Sequence, residues 1–481
     1  MEFTLHPDDA SRLSRSKLLV RRPGATPRYR SVRLVWYDSP DRDLRARGLA
    51  LEERQGLWRL ERSIPGSFPW LPAQLPPEIA RASLPADLGH AIPELLAPVA
   101  MFEGRLAITP LQTEAGPVEM ALLRGSASGT PVCRLTLDGA DAAVRDLALQ
   151  LAGAFRLDVP RASLATDAMA IADGNQPPPR RLGAPRPMGD TTVAGAFADA
   201  IGHFTDVLGH FAPLVIAGGP DTEPVHQMRV AVRRARSTIA VFRHGLACPA
   251  VAAADRALKI LGAMLGPARD WDVFTIETLP RIAAAFPDDA KLCLLAKAAQ
   301  RQRDATHAAL QAWLATPAFR QSCIGLAWLC GSESWHATLN PDEQAACALE
   351  PASFASHVLE RRWKKVRTAG KSLETLAVPA LHALRLRAKQ ARYAIEIFVP
   401  GTNAKPAQRL IRRLSVLQGH LGTLNDGAVA AGMLDALGGA GGRHGYAVGL
   451  VVGFLAASAG EMRPLILRAW KKFRRTARFW S

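Results

Sequence analysis

The sequence predicts an α+β multidomain protein, with an N-terminal antiparallel β domain and a C-terminal all-α domain. Three observations predict it. Residues 172–190, ADGNQPPPRRLGAPRPMGD, hold three consecutive prolines and two more close by, so they form a stiff linker rather than a helix or a central strand. Short apolar runs broken by Pro and Gly precede this segment, and long Ala/Leu-rich stretches with helical spacing follow it. The part after the linker also repeats itself. The expected boundaries are 1–172 for the β domain, 173–190 for the linker and 191–481 for the helical domain.

In the first domain, residues 33–37 (RLVWY), 58–60 and 118–123 (VEMALL) have strand character. Residues 142–155, AAVRDLALQLAGAF, form an amphipathic helix. In the second domain, residues 271–285, 290–313, 353–371, 381–398, 408–419 and 459–479 are helical, as one bundle or a pair of bundles. Residues 445–460 carry no charge, but 16 residues are too few for a comfortable membrane span. They are expected to be a buried helix, with no membrane insertion. The opening MEFTLHPDDA is acidic and lacks the apolar core of a signal peptide. Six cysteines without a CxxC pair or zinc-type spacing are expected to be free thiols in a reducing cytoplasm.

With 48% apolar and 21% charged residues, the 481-residue chain has an ordinary globular composition, which excludes wholesale disorder. Lys and Arg number 60 against 43 Asp and Glu, a net charge of +17. The first 190 residues hold 24 basic and 22 acidic side chains, and the remainder 36 and 21. An excess concentrated in the helical part points to a polyanionic partner there: nucleic acid, an anionic membrane or a phosphate polymer.

The repeat sharpens this. Residues 225–242 read VHQMRVAVRRARSTIAVF and residues 381–398 read LHALRLRAKQARYAIEIF. At an offset of 156, His226, Arg229, Arg233, Arg236 and Phe242 match His382, Arg385, Lys389, Arg392 and Phe398. The same offset matches Leu258, Leu261, Leu265, Gly266 and Asp270 to Leu414, Leu417, Leu421, Gly422 and Asp426. Two similar helical halves follow, and the six leucines are expected in their cores.

On a helix of 3.6 residues per turn, His226, Arg229, Arg233 and Arg236 fall within roughly an 80° sector. Arg grips phosphate oxygens with a two-pronged fork, and Lys adds a point charge. The alternative is a solvated face, or arginines paired with carboxylates. Residues 225–242 contain no Asp or Glu, so such pairing has to come from elsewhere. Arg234, Arg269, Arg362, Lys365, Arg409 and Arg412 are secondary candidates from other basic clusters, with a further cluster in the tail 468–478. One carboxylate per half lacks the clustering of a metal site, so Asp270 and Asp426 are expected to cap a helix or orient a stripe arginine.

These motifs, together with the terminal Phe479-Trp480, closely resemble the CHAD domain family over residues 191–481. The resemblance implies two four-helix bundles related by a pseudo-two-fold axis, and inorganic polyphosphate bound in a basic central pore. Carried over, the pore cations are Arg229, Arg233, Arg236, Arg385, Lys389 and Arg392, accompanied by His226 and His382. Asn425 departs from the first half, which has Arg269 there.

The first domain resembles a degenerate CYTH domain, an eight-stranded antiparallel tunnel that hydrolyses triphosphates with divalent metal. Tyr37-Asp38-Ser39-Pro40 is similar to the family's YxDTP turn. Its opening ExExK is here Glu2-Phe3-Thr4-Leu5-His6, Glu52 stands in an arginine position, and the ExExE strand reads PVCRLTLD. Arg54 and Arg62 remain, and the SK pair is Ser163-Leu164. Too few carboxylates converge to hold Mg²⁺.

The expected function is therefore non-catalytic binding of inorganic polyphosphate, with no cofactor, no metal and no catalytic residues, in the cytoplasm or on storage granules. Nucleic-acid binding and an N-terminal triphosphatase are the competing readings. The former wants aromatics beside the cations, and only Tyr393 stands there. The oligomeric state is left open.

Overall fold

The computed structural model describes residues 1–62, 68–70, 96–174, 182–185, 192–243, 245–332, 334–398 and 405–480. The side chains of Asn425, Asp426 and Ala428 lie outside that description, as does most of the predicted linker. The contacts divide the chain into two compact units. One comprises Met1–Arg181, Ile201–His210 and Ala315–Thr338; the other comprises Leu182–Ala200, Phe211–Leu314 and Leu339–Ser481.

The first unit is built on an eight-stranded antiparallel sheet. Its strands are β1 (Glu2–Leu5), β2 (Arg28–Asp38), β3 (Leu49–Arg54), β4 (Leu57–Arg62), β5 (Ala97–Thr113), β6 (Gly116–Ala127), β7 (Thr130–Gly139) and β8 (Leu157–Asp158). Their order is β4-β3-β2-β5-β6-β7-β1-β8. Alternation of apolar side chains gives the sheet two buried faces. Phe3, Leu5, Met120, Leu122, Leu135 and Leu137 pack under α1 (Pro7–Leu13) and α3 (Asp141–Ala154). Val32, Leu34, Trp36 and Phe102 pack under Ala165, Ala168 and Met169 of α4 (Leu164–Ala172). Gly104 and Gly125 face each other across β5 and β6, where a Cβ on Gly125 would lie 2.1 Å from the Glu103 carbonyl oxygen.

Asp38, fully buried in the Tyr37-Asp38-Ser39-Pro40 turn, accepts hydrogen bonds from the backbone N–H groups of Ser39, Leu44 and Arg45. It thereby holds the short helix α2 (Asp43–Ala46). Ser163 caps α4 by accepting from the N–H of Thr166. Helix α10 (Pro317–Gly331) belongs to this unit: Trp328 Nε1 donates to the Asp141 carbonyl at 3.2 Å, and Gln321 Nε2 to that of Leu149 at 2.9 Å. The antiparallel sheet expected from sequence is present, and the unit is compatible with a CYTH-like tunnel.

The second unit is helical. Its principal helices are α6 (Glu223–Phe242), α7 (Pro249–Asp272), α8 (Leu279–Ala285), α9 (Ala290–Leu314), α12 (Pro351–Ala369), α13 (Val378–Phe398), α14 (Lys405–Ala436) and α15 (Gly445–Arg474). The long helix α5 (Val193–Ala217) is shared between the two units, and α11 (Pro341–Ala348) precedes α12. A shift of 156 residues lays α5 on α12, α6 on α13, α7 on the start of α14 and α9 on α15.

Leu258, Leu261, Leu265, Leu414, Leu417 and Leu421 are all at most 2% exposed, as the repeat requires. Phe242 meets its own repeat partner Phe398, with ring centroids 5.5 Å apart. Between α7 and α8 the chain forms a π-helical turn, Val273–Thr278, that the sequence does not announce.

The expectation of a buried helix over residues 445–460 is corrected. Helix α15 is long and apolar enough to cross a membrane, as is α5, but little of α15's apolar stretch is fully buried; Leu450, Phe454 and Leu455 are partly covered by the core. Ala447, Val448 and Val451 join the core. The other side presents Tyr446 and Val452 together with the small residues Gly449, Gly453, Ala456 and Ala457.

Candidate functional site

Helices α6 and α13 pack against each other, and each buries one apolar face. Val225, Met228, Val232, Ala235 and Ile239 form that face on α6; Leu381, Leu384, Ala388, Ala391 and Ile395 form it on α13. Pro224 sits in the first turn of α6, where its missing N–H costs nothing. The cationic stripes flank these faces and reach a shared cavity of about 260 Å³.

Six basic side chains line it: His226, Arg229 and Arg233 from α6, Arg269 from α7, and Arg385 and Lys389 from α13. Among the described lining residues Asp270 is the one carboxylate, and Val230, Val273, Phe274, Val429, Ala430 and Met433 supply apolar walls. The π-helical turn thus borders the cavity through Val273, Phe274 and Thr278.

Several of these cations are held in place by neighbours. Arg229 donates to the Gly266 carbonyl at 2.7 Å and pairs with Asp270 at 3.1 Å. The Asp270 expectation, orientation of a stripe arginine, describes this contact. The two matched glycines each lie beside a stripe arginine: a Cβ on Gly266 would be 3.4 Å from Arg229 Nη1, and one on Gly422 would be 3.9 Å from Arg385 Nε, both ordinary contact distances. The side chains of Asn425 and Asp426, and with them the matching carboxylate, lie outside the described residues.

Arg233 donates through Nε to the Tyr393 hydroxyl at 2.9 Å. Arg269 pairs with Glu277 at 3.0 Å on the π-helical turn. Burial pushes the Asp270 carboxyl up, against the pull of Arg229. Burial lowers Arg229 and His226, and Arg269 lowers His226 further. Lys389 falls to about 7, through burial first and then the charges of Arg233, Arg385, Arg392 and Arg229.

Other stripe members lie elsewhere. Arg236 is exposed and pairs with Asp255 at 3.1 Å. Arg392 donates to Ser415 Oγ at 3.1 Å and lies 3.6 Å from Glu396. His382 is exposed and does not line the cavity. The physical reason is local: periodicity selects a helix face, while carboxylates on neighbouring turns and helices decide which arginines remain available.

Glu396 also takes Arg234, at 3.1 Å, and the Arg233, Arg234 and Arg392 guanidiniums gather around the buried Tyr393 ring at 5.1–6.0 Å. Sequence reasoning singled out Tyr393 only as an aromatic and missed Glu396; its spacing of four from Arg392 was the available signal. Arg362 is buried and structural, donating to Gln390 Oε1 at 3.0 Å and to the Ala240 carbonyl at 2.9 Å. Lys365, Arg409 and Arg412 are exposed.

A second cavity, about 470 Å³, lies where α12 and α15 end, lined by Lys364, Arg367, Arg474 and Arg478 around Glu360. Glu360 pairs with Arg478 at 3.0 Å and Lys364 at 3.6 Å and accepts from Trp480 Nε1 at 3.3 Å. Cations at helix C-termini also offset the helix dipole, which is sufficient reason for them there.

In the first unit the sheet registers put Glu2, Arg134, Glu52 and Glu61 on the face covered by α4. Arg134 is engaged there by Asp167, by Glu2 at 3.6 Å and by Thr4 Oγ1 at 3.1 Å. Burial raises the pKa values of Glu2, Glu52 and Glu61. Among the described residues no group of three or more His, Cys, Asp or Glu side chains is arranged to hold a metal ion.

Comparison with known proteins adds the following. The family model for the CHAD domain matches residues 198–435. The crystal structure of the CHAD domain from the plant Ricinus communis is similar at 28% identity, covering 62% of this chain and 98% of that one, with a TM-score of 0.52. PptA from Streptomyces chartreusis aligns at 16% identity over 59% of this chain and 100% of its own, with a TM-score of 0.47. No curated protein matches the chain.

Proposed function

Residues 198–435 are a CHAD domain, and on that premise we propose that the protein binds inorganic polyphosphate, without catalysis, in the cavity between α6 and α13. One observation carries the reading: basic side chains of both repeats converge on a single cavity, and among the described residues that line it Asp270 is the one carboxylate. A linear chain with one charge per phosphate suits cations spaced along two facing helices. Arg229, Arg233, Arg385, Lys389, Arg269 and His226 are its ligands. Arg236, Arg392 and His382 are peripheral.

Nucleic acid fits less well. Stacking needs an exposed ring; Phe274, which lines the cavity, is 2% exposed, and Tyr393, bonded to Arg233, is 3% exposed. For the first unit a scaffold role is the better reading. The sheet face bearing Glu2, Glu52 and Glu61 is packed by apolar residues of α4, and its central Arg134 already spends its charge on Asp167 and Glu2. On this reading the protein works in the cytoplasm, and fluorescence microscopy of polyphosphate granules is where to look for it.

Titration calorimetry with long-chain polyphosphate tests the proposal. If five phosphates are neutralised, affinity falls about a hundredfold between 50 and 200 mM salt as counterions cease to be released. The double variant Arg233→Glu, Lys389→Glu abolishes binding while leaving the circular dichroism spectrum unchanged. Unaltered affinity in that variant, or preference for single-stranded DNA, overturns the reading. Phosphate release from tripolyphosphate with Mg²⁺ or Mn²⁺, lost in Glu2→Ala, overturns the scaffold assignment.

A further inference from the structure

Lys389 has an unusual set of neighbours. It lies in the cavity with Arg229 and Arg233 of α6, Arg269 of α7 and Arg385 of its own helix. The carboxylates nearby are committed elsewhere: Asp270 to Arg229, Glu277 to Arg269, and Glu396 to Arg234 and Arg392. From α12, Arg362 reaches Gln390, the next residue along α13. On α14, Arg409 and Arg412 are exposed, and the side chain of Asp426 lies outside the described residues. Among the described residues, no carboxylate pairs with Lys389.

We propose, on the basis of the polyphosphate reading, that the cavity takes up a proton when a phosphate chain enters, with Lys389 as the principal acceptor and His226 as the second. The empty cavity opposes charge on Lys389 in two ways, by stripping water from it and by surrounding it with guanidiniums. Near neutral pH its ammonium and amine forms are therefore comparably populated. An entering polyanion reverses both effects and returns the lysine toward its ordinary pKa of about 10.4. His226 is lowered by burial and by Arg269, so it responds in the same direction at lower pH.

The sign follows from linkage. The bound state holds the lysine proton over the whole window from about 7 to about 10, whereas the free state releases it across the lower end of that window. Affinity therefore falls as the pH rises above 7, approaching tenfold per pH unit for one linked proton. A long chain contributes little to this dependence, because only its two terminal phosphates carry a weakly acidic hydroxyl, whereas the interior phosphates that fill the site are fully ionised well below neutral pH. The site is thus a pH-graded one: it holds polyphosphate more tightly in a slightly acid cytoplasm and loosens as the medium becomes alkaline. An arginine at the same position would bind without this response, since a guanidinium does not titrate in this range.

The test is calorimetry at pH 8 with the full chain and long-chain polyphosphate, in two buffers of very different ionisation enthalpy. The difference in apparent binding heat gives the number of protons taken up. About one proton per occupied site is expected for the unaltered protein, falling close to zero in Lys389→Arg. His226→Gln keeps the uptake at pH 8 and loses the smaller component near pH 6. Should Lys389→Arg fold poorly, the affinity of the unaltered protein at pH 7, 8 and 9 carries the same information. Tight binding with equal heats in both buffers, or an affinity flat from pH 7 to 9, overturns proton uptake and leaves the polyphosphate reading standing. Absence of binding by the unaltered protein at every pH overturns both.

Discussion

Tyr393 and Glu396 partner three arginines of α6 and α13: Tyr393 takes the cavity residue Arg233, and Glu396 neutralises two that lie outside the cavity lining. Arg234 and Arg392 share the Glu396 carboxylate, while Arg233 donates to the Tyr393 hydroxyl. Replacing Glu396 by Gln leaves two guanidiniums, at 15% and 21% side-chain exposure, with no counter-charge. The expected cost is about 3–5 kcal/mol of stability, the usual result of orphaning one member of a buried pair. Polyphosphate should recover part of that loss by supplying the missing negative charge. Thermal melts of Glu396→Gln with and without ligand measure both effects; a melt indifferent to the substitution denies Glu396 this role.

At the same scale, Leu417→Ala opens a cavity at a fully buried position and is expected to cost about 2–5 kcal/mol in chemical denaturation. These leucines were legible in the sequence because a three-and-four spacing has one structural meaning. The Glu396 pairing was harder to read, since a carboxylate four residues from an arginine is found on many exposed helices.

Among elements, α9 is fastened to α7 by a small ionic group. Asp272, fully buried, accepts from Arg303 Nε at 2.7 Å and contacts His307 Nε2 at 2.8 Å. Burial works against the carboxylate, but the hydrogen bonds from His307 and Arg303 outweigh it and hold the Asp272 pKa below its ordinary value. Its contribution to stability is therefore complete above the unfolded carboxylate's pKa of about 3.9 and is lost as the pH falls through the lower folded value. Asp272→Asn should narrow the difference in melting temperature between pH 6 and pH 3; an unchanged difference would show that acid sensitivity arises elsewhere.

Elements also differed in how clearly the sequence announced them. Helices α9, α12 and α13 were visible from periodicity alone. The 17-residue strand β5 was not, because Pro98 and Pro110 interrupt its pattern. Helix α5 is apolar and punctuated by Gly195, Gly202, Gly209 and Pro213, which hides its period. Helix α10 carried no such excuse in charge or proline; its apolar positions answer to α3, far away in sequence. The cavity itself was half legible. The stripe identified Arg229, Arg233, Arg385 and Lys389, but nothing local indicated that Asp255 would draw Arg236 aside.

For the whole molecule, chain order and packing order diverge. Ala315–Thr338 is surrounded in sequence by the helical unit yet packs with the β unit. A polypeptide starting at residue 191 would lack α3 and leave Ile324 and Trp328 without their partners. It is expected to self-associate through that surface, and Ile324→Glu should reduce the association while leaving helical content unchanged. Light scattering with circular dichroism makes the comparison; a well-behaved monomer with native melting would contradict it.

Phe242 and Phe398 occupy the same place in the two repeats, and their rings touch. A residue that meets its own counterpart is what a two-fold dimer shows at its axis. Each repeat therefore carries a self-complementary surface, and the chain is built like a dimer whose subunits have been joined into one polypeptide. True dimers are bound to identity: a substitution in one subunit appears in both. A joined pair is released from that obligation. Arg233 has Lys389 as its counterpart, Arg234 has Gln390, and Arg269 has Asn425. A single titrating amine among arginines is an arrangement that two identical subunits cannot make, because each would contribute its own.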